Sequence, residues 1–147
     1  MYNALSVAKY ILDFCKNLQV GISNLKLQKI LYFVQAEFLV STPNHIPCFS
    51  DAIEAWDFGP VVPSVYHEYK VYGNAIIPQN DDDNSWCYQR IRPEDQSMIN
   101  GIVEEAAKYS AAQLVQITHN QTPWKNAYRK GFNNEISNAA ILDFFEE

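Results

Sequence analysis

The stretch Ser23-Asn24-Leu25-Lys26-Leu27-Gln28-Lys29-Ile30-Leu31-Tyr32-Phe33-Val34-Gln35-Ala36-Glu37-Phe38 decides the fold class. Leu27, Ile30, Leu31, Val34 and Phe38 follow i, i+3, i+4, i+7 and i+11, the spacing that lines one face of an α-helix with apolar side chains. Ser23 precedes this run and is a good N-cap, because its hydroxyl accepts a bond from an otherwise orphaned N–H of the first turn. Ser41-Thr42-Pro43-Asn44 closes the helix, since proline cannot continue it and restricts the residue before it.

Working outward, Leu5, Ala8, Ile11, Leu12 and Cys15 predict an earlier helix over residues 4–18, broken at Val20-Gly21-Ile22. Downstream, residues 52–58 carry bulky side chains and suit a short strand or extended segment. Gly59-Pro60 is then expected to open a helix whose apolar face is Val62, Val65, Tyr66 and Tyr69, with Gly73 as its stop. Residues 74–92 read as irregular, with Ala75-Ile76-Ile77 a candidate short strand and Asp81-Asp82-Asp83 a solvated loop. Pro93 starts another helix with Met98, Ile99, Ile102, Val103 and Ala106 as its stripe. Ser110-Ala111-Ala112-Gln113 matches a capping box for a helix to about His119. Thr122-Pro123-Trp124 repeats a cap-then-proline start for a short helix to about Lys130. Glu135-Ile136 reads as a short strand, and Ser137 caps a last helix through Phe145. The expected architecture is mainly α (α+β): one compact domain over residues 1–147, with six or seven helices and a few short β strands.

Composition bounds the function. Hydrophobic residues make up 48% and charged residues 19% of 147, which excludes a disordered tail and a coiled coil. The formal charge of −6 argues against a dedicated nucleic-acid binder, whose affinity rests on neutralising phosphates. Four lysines against Asp13 alone give residues 1–30 a local excess of +3, so the remainder carries −9. A third function class, a phage or plasmid regulator touching nucleic acid through this first helical hairpin, stays open on that ground. Three widely spaced cysteines (Cys15, Cys48, Cys87) suit reduced thiols in a cytosol better than a disulfide framework. The beginning of the chain lacks a basic region ahead of an apolar stretch, and no 18-residue apolar run occurs, so a cytoplasmic location away from membranes is expected.

Chemistry is sparsely signalled. There is no Gly-rich phosphate loop, no H-E-x-x-H and no G-x-S-x-G. His45 and Cys48 are three apart, but a structural zinc site needs four well-placed ligands. Neither a metal nor a cofactor is expected, and no catalytic residue is assigned. An enzyme using His119 with a carboxylate is the weaker alternative.

Four ordered groups of residues are more distinctive. They are Ser23 to Phe33; Glu54-Ala55-Trp56-Asp57-Phe58-Gly59-Pro60-Val61-Val62-Pro63 with Val65-Tyr66; Ser110-Ala111 with Leu114 and Thr118-His119; and Pro123-Trp124 with Ala127. Together they resemble the Panacea antitoxin domain, the prokaryotic family of SocA-like antitoxins and phage-associated GepA-like proteins, over residues 4–145. The resemblance implies an antitoxin that silences a co-encoded toxin by direct protein–protein contact. It also implies an alternative for the SocA-like branch, an adaptor that delivers the toxin to a cytoplasmic AAA+ protease. Some relatives carry an added DNA-binding segment; here the domain is expected to fill the chain, so direct DNA binding is not expected. Homo-oligomerisation is left open.

The expected partner-binding residues are Lys26, Gln28, Lys29, Tyr32, Trp56, Asp57, Phe58, Gly59, Pro60, His119 and Trp124. Leu27, Ile30, Leu31 and Val34 are core. Lys26 and Lys29 are expected to pack their stems and keep their charges wet, either as plain solvated lysines or paired with Glu54 or Asp57. Gln28 and Tyr32 share a helix face and are expected to present polar ends at one surface. Trp56–Pro60 reads either as a partner-binding turn or as a buried aromatic with a shaped entry. His119 is either a hydrogen-bonded core residue or a contact residue beside Trp124.

Overall fold

The computed structural model describes residues 1–78 and 87–146. Its architecture is a helical body around one central helix, with a three-stranded sheet against it. The central helix is α2 (Asn24–Ser41), which packs against α1 (Ala4–Leu18), α3 (Pro63–Tyr69), α4 (Pro93–Ala106), α5 (Ala111–His119) and α7 (Asn138–Phe145). α6 (Thr122–Ala127) bridges α5 and α7. One hydrophobic cluster draws on residues from Ala4 to Ile141, so the first and last helices share the core that α2 organises.

Being packed on most sides, α2 buries more than its apolar stripe. Asn24, Gln28, Lys29, Tyr32 and Gln35 are all buried with it. Each spends its polar end on a neighbouring segment, as a buried polar group must. Gln35 is the clearest case: its Oε1 accepts from the backbone N–H groups of Cys48 and Phe49 at 2.8 and 3.2 Å, and its Nε2 donates to the Phe49 carbonyl at 2.9 Å. One side chain thereby satisfies three main-chain groups of an irregular, buried segment.

The caps sit largely where the sequence places them. Ser23 caps α2, Ser137 caps α7, and Ser110 with Gln113 forms the full capping box of α5. The cap of α6 is Gln121 instead of a residue inside the Thr122-Pro123 start, and the helix ends at Ala127.

The main departure is at Gly59-Pro60, which does not open a helix. β1 (Ile53–Trp56) turns through Asp57-Phe58 into β2 (Gly59–Val61), and α3 starts at Pro63, the next proline. β3 (Glu135–Ile136) pairs on the other side of β1, giving the order β2-β1-β3. Pairs Glu54 with Val61, Ala55 with Pro60 and Trp56 with Gly59 fix the hairpin register. The Ala55 N–H donates to the Asn134 carbonyl, away from β2, so Pro60 opposite it faces outward from the ladder and its missing N–H costs no hydrogen bond. Gly59 takes φ +108°, a backbone that side chains other than glycine's rarely accept, and this is what a hairpin turn needs here. Ala75-Ile76-Ile77 forms only an isolated bridge, Ser23 with Ile76, beside the Ile77 N–H to Ile22 carbonyl bond. Asp81-Asp82-Asp83 lies outside the described residues.

Candidate partner-binding site

α2 closes the open edge of the hairpin with side chains. The buried Lys29 Nζ donates to the Pro60 carbonyl at 2.9 Å, and the Val62 N–H donates to Gln28 Oε1 at 2.9 Å. Gln28 in turn donates to Asn24 Oδ1 at 2.8 Å, and Asn24 donates to the Tyr66 carbonyl at 3.1 Å. A chain of amides thus ties β2 and α3 to the first turns of α2. Edge strands left open invite strand addition; this one is sealed.

Lys29 is 0% exposed, so its charge is not wet. It bonds to a carbonyl oxygen, and neither Glu54 nor Asp57 pairs with it: Glu54 accepts from Trp56 Nε1 at 2.9 Å and Asp57 accepts from Tyr128 OH at 2.5 Å. Burial without a carboxylate pulls the amine down to about 7. Lys26 is half-buried, and its charge acts toward Cys15 of α1. The Tyr32 hydroxyl is likewise buried, donating to Gln121 Oε1 at 2.7 Å, with burial pushing its pKa well up. Tyr32 therefore holds the fold from inside instead of presenting a polar end at a surface, whereas Gln28, though almost wholly covered, still lines a surface groove.

Behind the hairpin stands a column of rings. His119 stacks on Trp124 at 4.0 Å and 17°, and Trp124 stacks on Tyr128 at 4.5 Å and 19°. Trp124 Nε1 donates to the Trp56 carbonyl at 2.8 Å, and Tyr128 reaches Asp57, so the column pins both ends of the turn. Burial draws the His119 pKa below its ordinary value, with the Asp57 backbone opposing, and its Nε2 is buried without a hydrogen-bond partner among the described residues. Trp56 packs edge-on to Tyr66 at 4.9 Å.

What this frame presents outward is the turn itself. Asp57 is exposed and Phe58 is 66% exposed. Across from it, the turn after α6 carries Phe132, 62% exposed, which follows Gly131 at φ +84°. Between them lies a groove of about 650 Å³, floored by Asn24 and Gln28 and walled by Trp56, Tyr66 and Lys70. Of the expected residues, the structure brings Gln28, Trp56, Asp57 and Phe58 to this groove. It puts Gly59 and Pro60 in the hairpin strand β2 itself and sets Lys29, His119 and Trp124 against the hairpin as its support, while Lys26 and Tyr32 lie apart. Sequence reading missed Phe132, Tyr66 and Lys70. The available signal for Phe132 was a bulky aromatic inside a Gly-Phe-Asn-Asn turn, where an apolar ring has no local reason to be.

Residues 27–125 match the family described as Antitoxin SocA-like, Panacea domain. The chain belongs to this family. It is also 36% identical over 130 residues to Antitoxin SocA of Caulobacter vibrioides (strain NA1000 / CB15N), an alignment covering 83% of this chain and 68% of that protein. No solved structure matches the chain. The family match spans the hairpin, its lysine seal and the His119–Trp124 stack. Among the described residues no helix is long and apolar enough to cross a membrane.

Proposed function

We propose that this chain, acting as one domain in the cytoplasm, neutralises a co-encoded toxin by gripping it, with no catalytic step of its own. Membership of the SocA-like Panacea antitoxin family is the observation that carries the reading. Two features of the molecule support a binding mode of action. The polar side chains that resemble reactive groups, Lys29 and His119, are committed to packing the hairpin. The exposed groups around the hairpin are instead aromatic rings on a braced turn, the kind of residue that anchors protein–protein contacts.

The mechanism is steric occlusion or conformational trapping of the toxin. A stable interface buries about 1,200–2,000 Å² in total, an area a domain of this size can offer. The test is expression of the adjacent reading frame with and without this chain in the native host. Growth arrest by that frame alone, relieved by the chain, is the expected result. A harmless neighbour, or unrelieved arrest, contradicts the reading. Toxin half-life, followed in the same cells, distinguishes occlusion, which leaves it unshortened, from delivery to a AAA+ protease, which shortens it.

A further inference from the structure

We propose that the groove between Phe58 and Phe132 is the toxin-docking site, and that its occupant is an extended, largely uncharged segment of the toxin carrying one aromatic or large aliphatic side chain and a nearby carboxylate. The inference rests on the antitoxin reading above and adds the place and the chemistry.

Three observations specify the occupant. First, the two rings at the mouth are the most exposed aromatic side chains described, at 66% and 62%, and each sits on a tight turn. Rings held out on such turns lose little conformational freedom when a partner side chain enters between them. The Phe58 turn is braced by the Trp124–Trp56 and Tyr128–Asp57 hydrogen bonds.

Second, the floor is made of amides. Asn24 and Gln28 are 3% and 1% exposed, and each carries two N–H donors. Asn24 Nδ2 donates to the Tyr66 carbonyl and Gln28 Nε2 donates to Asn24 Oδ1, which leaves one donor on each. Main-chain carbonyl oxygens of an extended segment are the natural acceptors for such donors. A helical partner has its carbonyls already bonded internally.

Third, the two charged side chains lining the groove differ in what they leave open. Asp57 keeps its negative charge while one of its oxygens accepts from the neutral Tyr128 hydroxyl, whereas the Lys70 amine has no ion-pair or hydrogen-bond partner among the described residues. Lys70 therefore offers all three of its N–H donors to an incoming group at its own wall of the groove. A carboxylate on the incoming segment complements it, and complementary charge sets register and association rate.

The test uses the full chain and the purified product of the adjacent reading frame, with equilibrium binding measured for four proteins. They are the wild type, a Phe58→Ser/Phe132→Ser double variant, Lys70→Glu, and Ile46→Ser as an exposed apolar control outside the groove. Circular dichroism and melting temperature verify folding; both groove sites are exposed turns, so wild-type values are expected. The double variant is expected to weaken binding by about tenfold or more. Lys70→Glu is expected to weaken it by a smaller factor that shrinks as salt rises, and Ile46→Ser to leave it unchanged. On an array of overlapping short peptides from the toxin, wild-type signal is expected on a segment with an apolar anchor beside Asp or Glu, and none from the double variant. Wild-type binding that survives the double substitution overturns the groove while leaving the antitoxin reading intact. Absence of any wild-type complex overturns both. A self-association abolished by the double variant reassigns the groove to a second copy of this chain and also overturns the proposal.

Discussion

Replacing Lys29 with methionine removes a buried amine while keeping most of its stem. The wild-type amine is fully buried, is bonded among the described residues only to the Pro60 carbonyl, and is drawn from 10.5 down to about 7. In the unfolded chain it regains its ordinary value. Between pH 7 and 10.5 the unfolded state therefore binds the proton that the folded state has released, and stability rises with pH across that window. The rise is about 1.4 kcal/mol per pH unit, or roughly 5 kcal/mol over the full interval.

Below the folded value both states carry the charge, so stability is lowest and flat; above the unfolded value both are neutral and it is highest. Other groups titrate nearby. Burial raises the Cys15 and Cys48 thiols, and this lowers stability as pH climbs past about 9. His119, pulled down by burial, stays neutral above pH 7.5. These contributions cancel when variant and wild type are compared at each pH. Urea unfolding of both proteins from pH 7.5 to 9.5 is the assay. The difference, wild type minus Lys29→Met, is expected to climb by about 2–3 kcal/mol over that range. Loss of the Pro60 bond adds an offset of about 1–3 kcal/mol that does not vary with pH. A difference that stays level or falls with pH refutes the argument that Lys29 is held neutral beneath the hairpin.

Other perturbations probe the same frame. Gly59→Ala would place a Cβ 2.8 Å from both Lys29 Cε and Thr118 Oγ1 at φ +108°; it is expected to cost about 2–4 kcal/mol, read as a melting temperature lower by ~5–15 °C. Tyr32→Phe strips Gln121 Oε1 of its buried donor and is expected to cost about 1–3 kcal/mol, with amide exchange quickening first in α6, whose N-cap is Gln121. Gln35→Leu leaves the Cys48 and Phe49 N–H groups and the Phe49 carbonyl without partners, so the urea midpoint is expected to fall by an amount worth about 3 kcal/mol or more.

The helical frame is written locally, and for that reason it is readable. Ser23, Ser110 and Ser137 cap the helices they precede, and the Leu27–Phe38 stripe packs as its spacing demands. What resists reading depends on contacts distant along the chain. Whether Gly59-Pro60 starts a helix or a strand is decided by Lys29, thirty-one residues before Pro60, whose amine takes the Pro60 carbonyl. Pro63 offers an equally good helix start a few residues on, and local propensity does not choose between them. Lys29 itself looks like a surface lysine, because no local signal marks a charge that will be covered on all sides. At the candidate site, Trp56, Asp57 and Phe58 stand out by residue type. Phe132 and Lys70 join them only through the pairing of β3 with β1 and the return of α3 over α2.

This member of the SocA-like family is proposed to act by holding another polypeptide. Light scattering on the chain mixed with the purified product of its neighbouring reading frame, after size-exclusion chromatography, is the decisive assay. One co-eluting species with the summed mass of both proteins, and an inactive toxin, is the expected result. Two separate peaks, with the toxin as active as before mixing, contradict it.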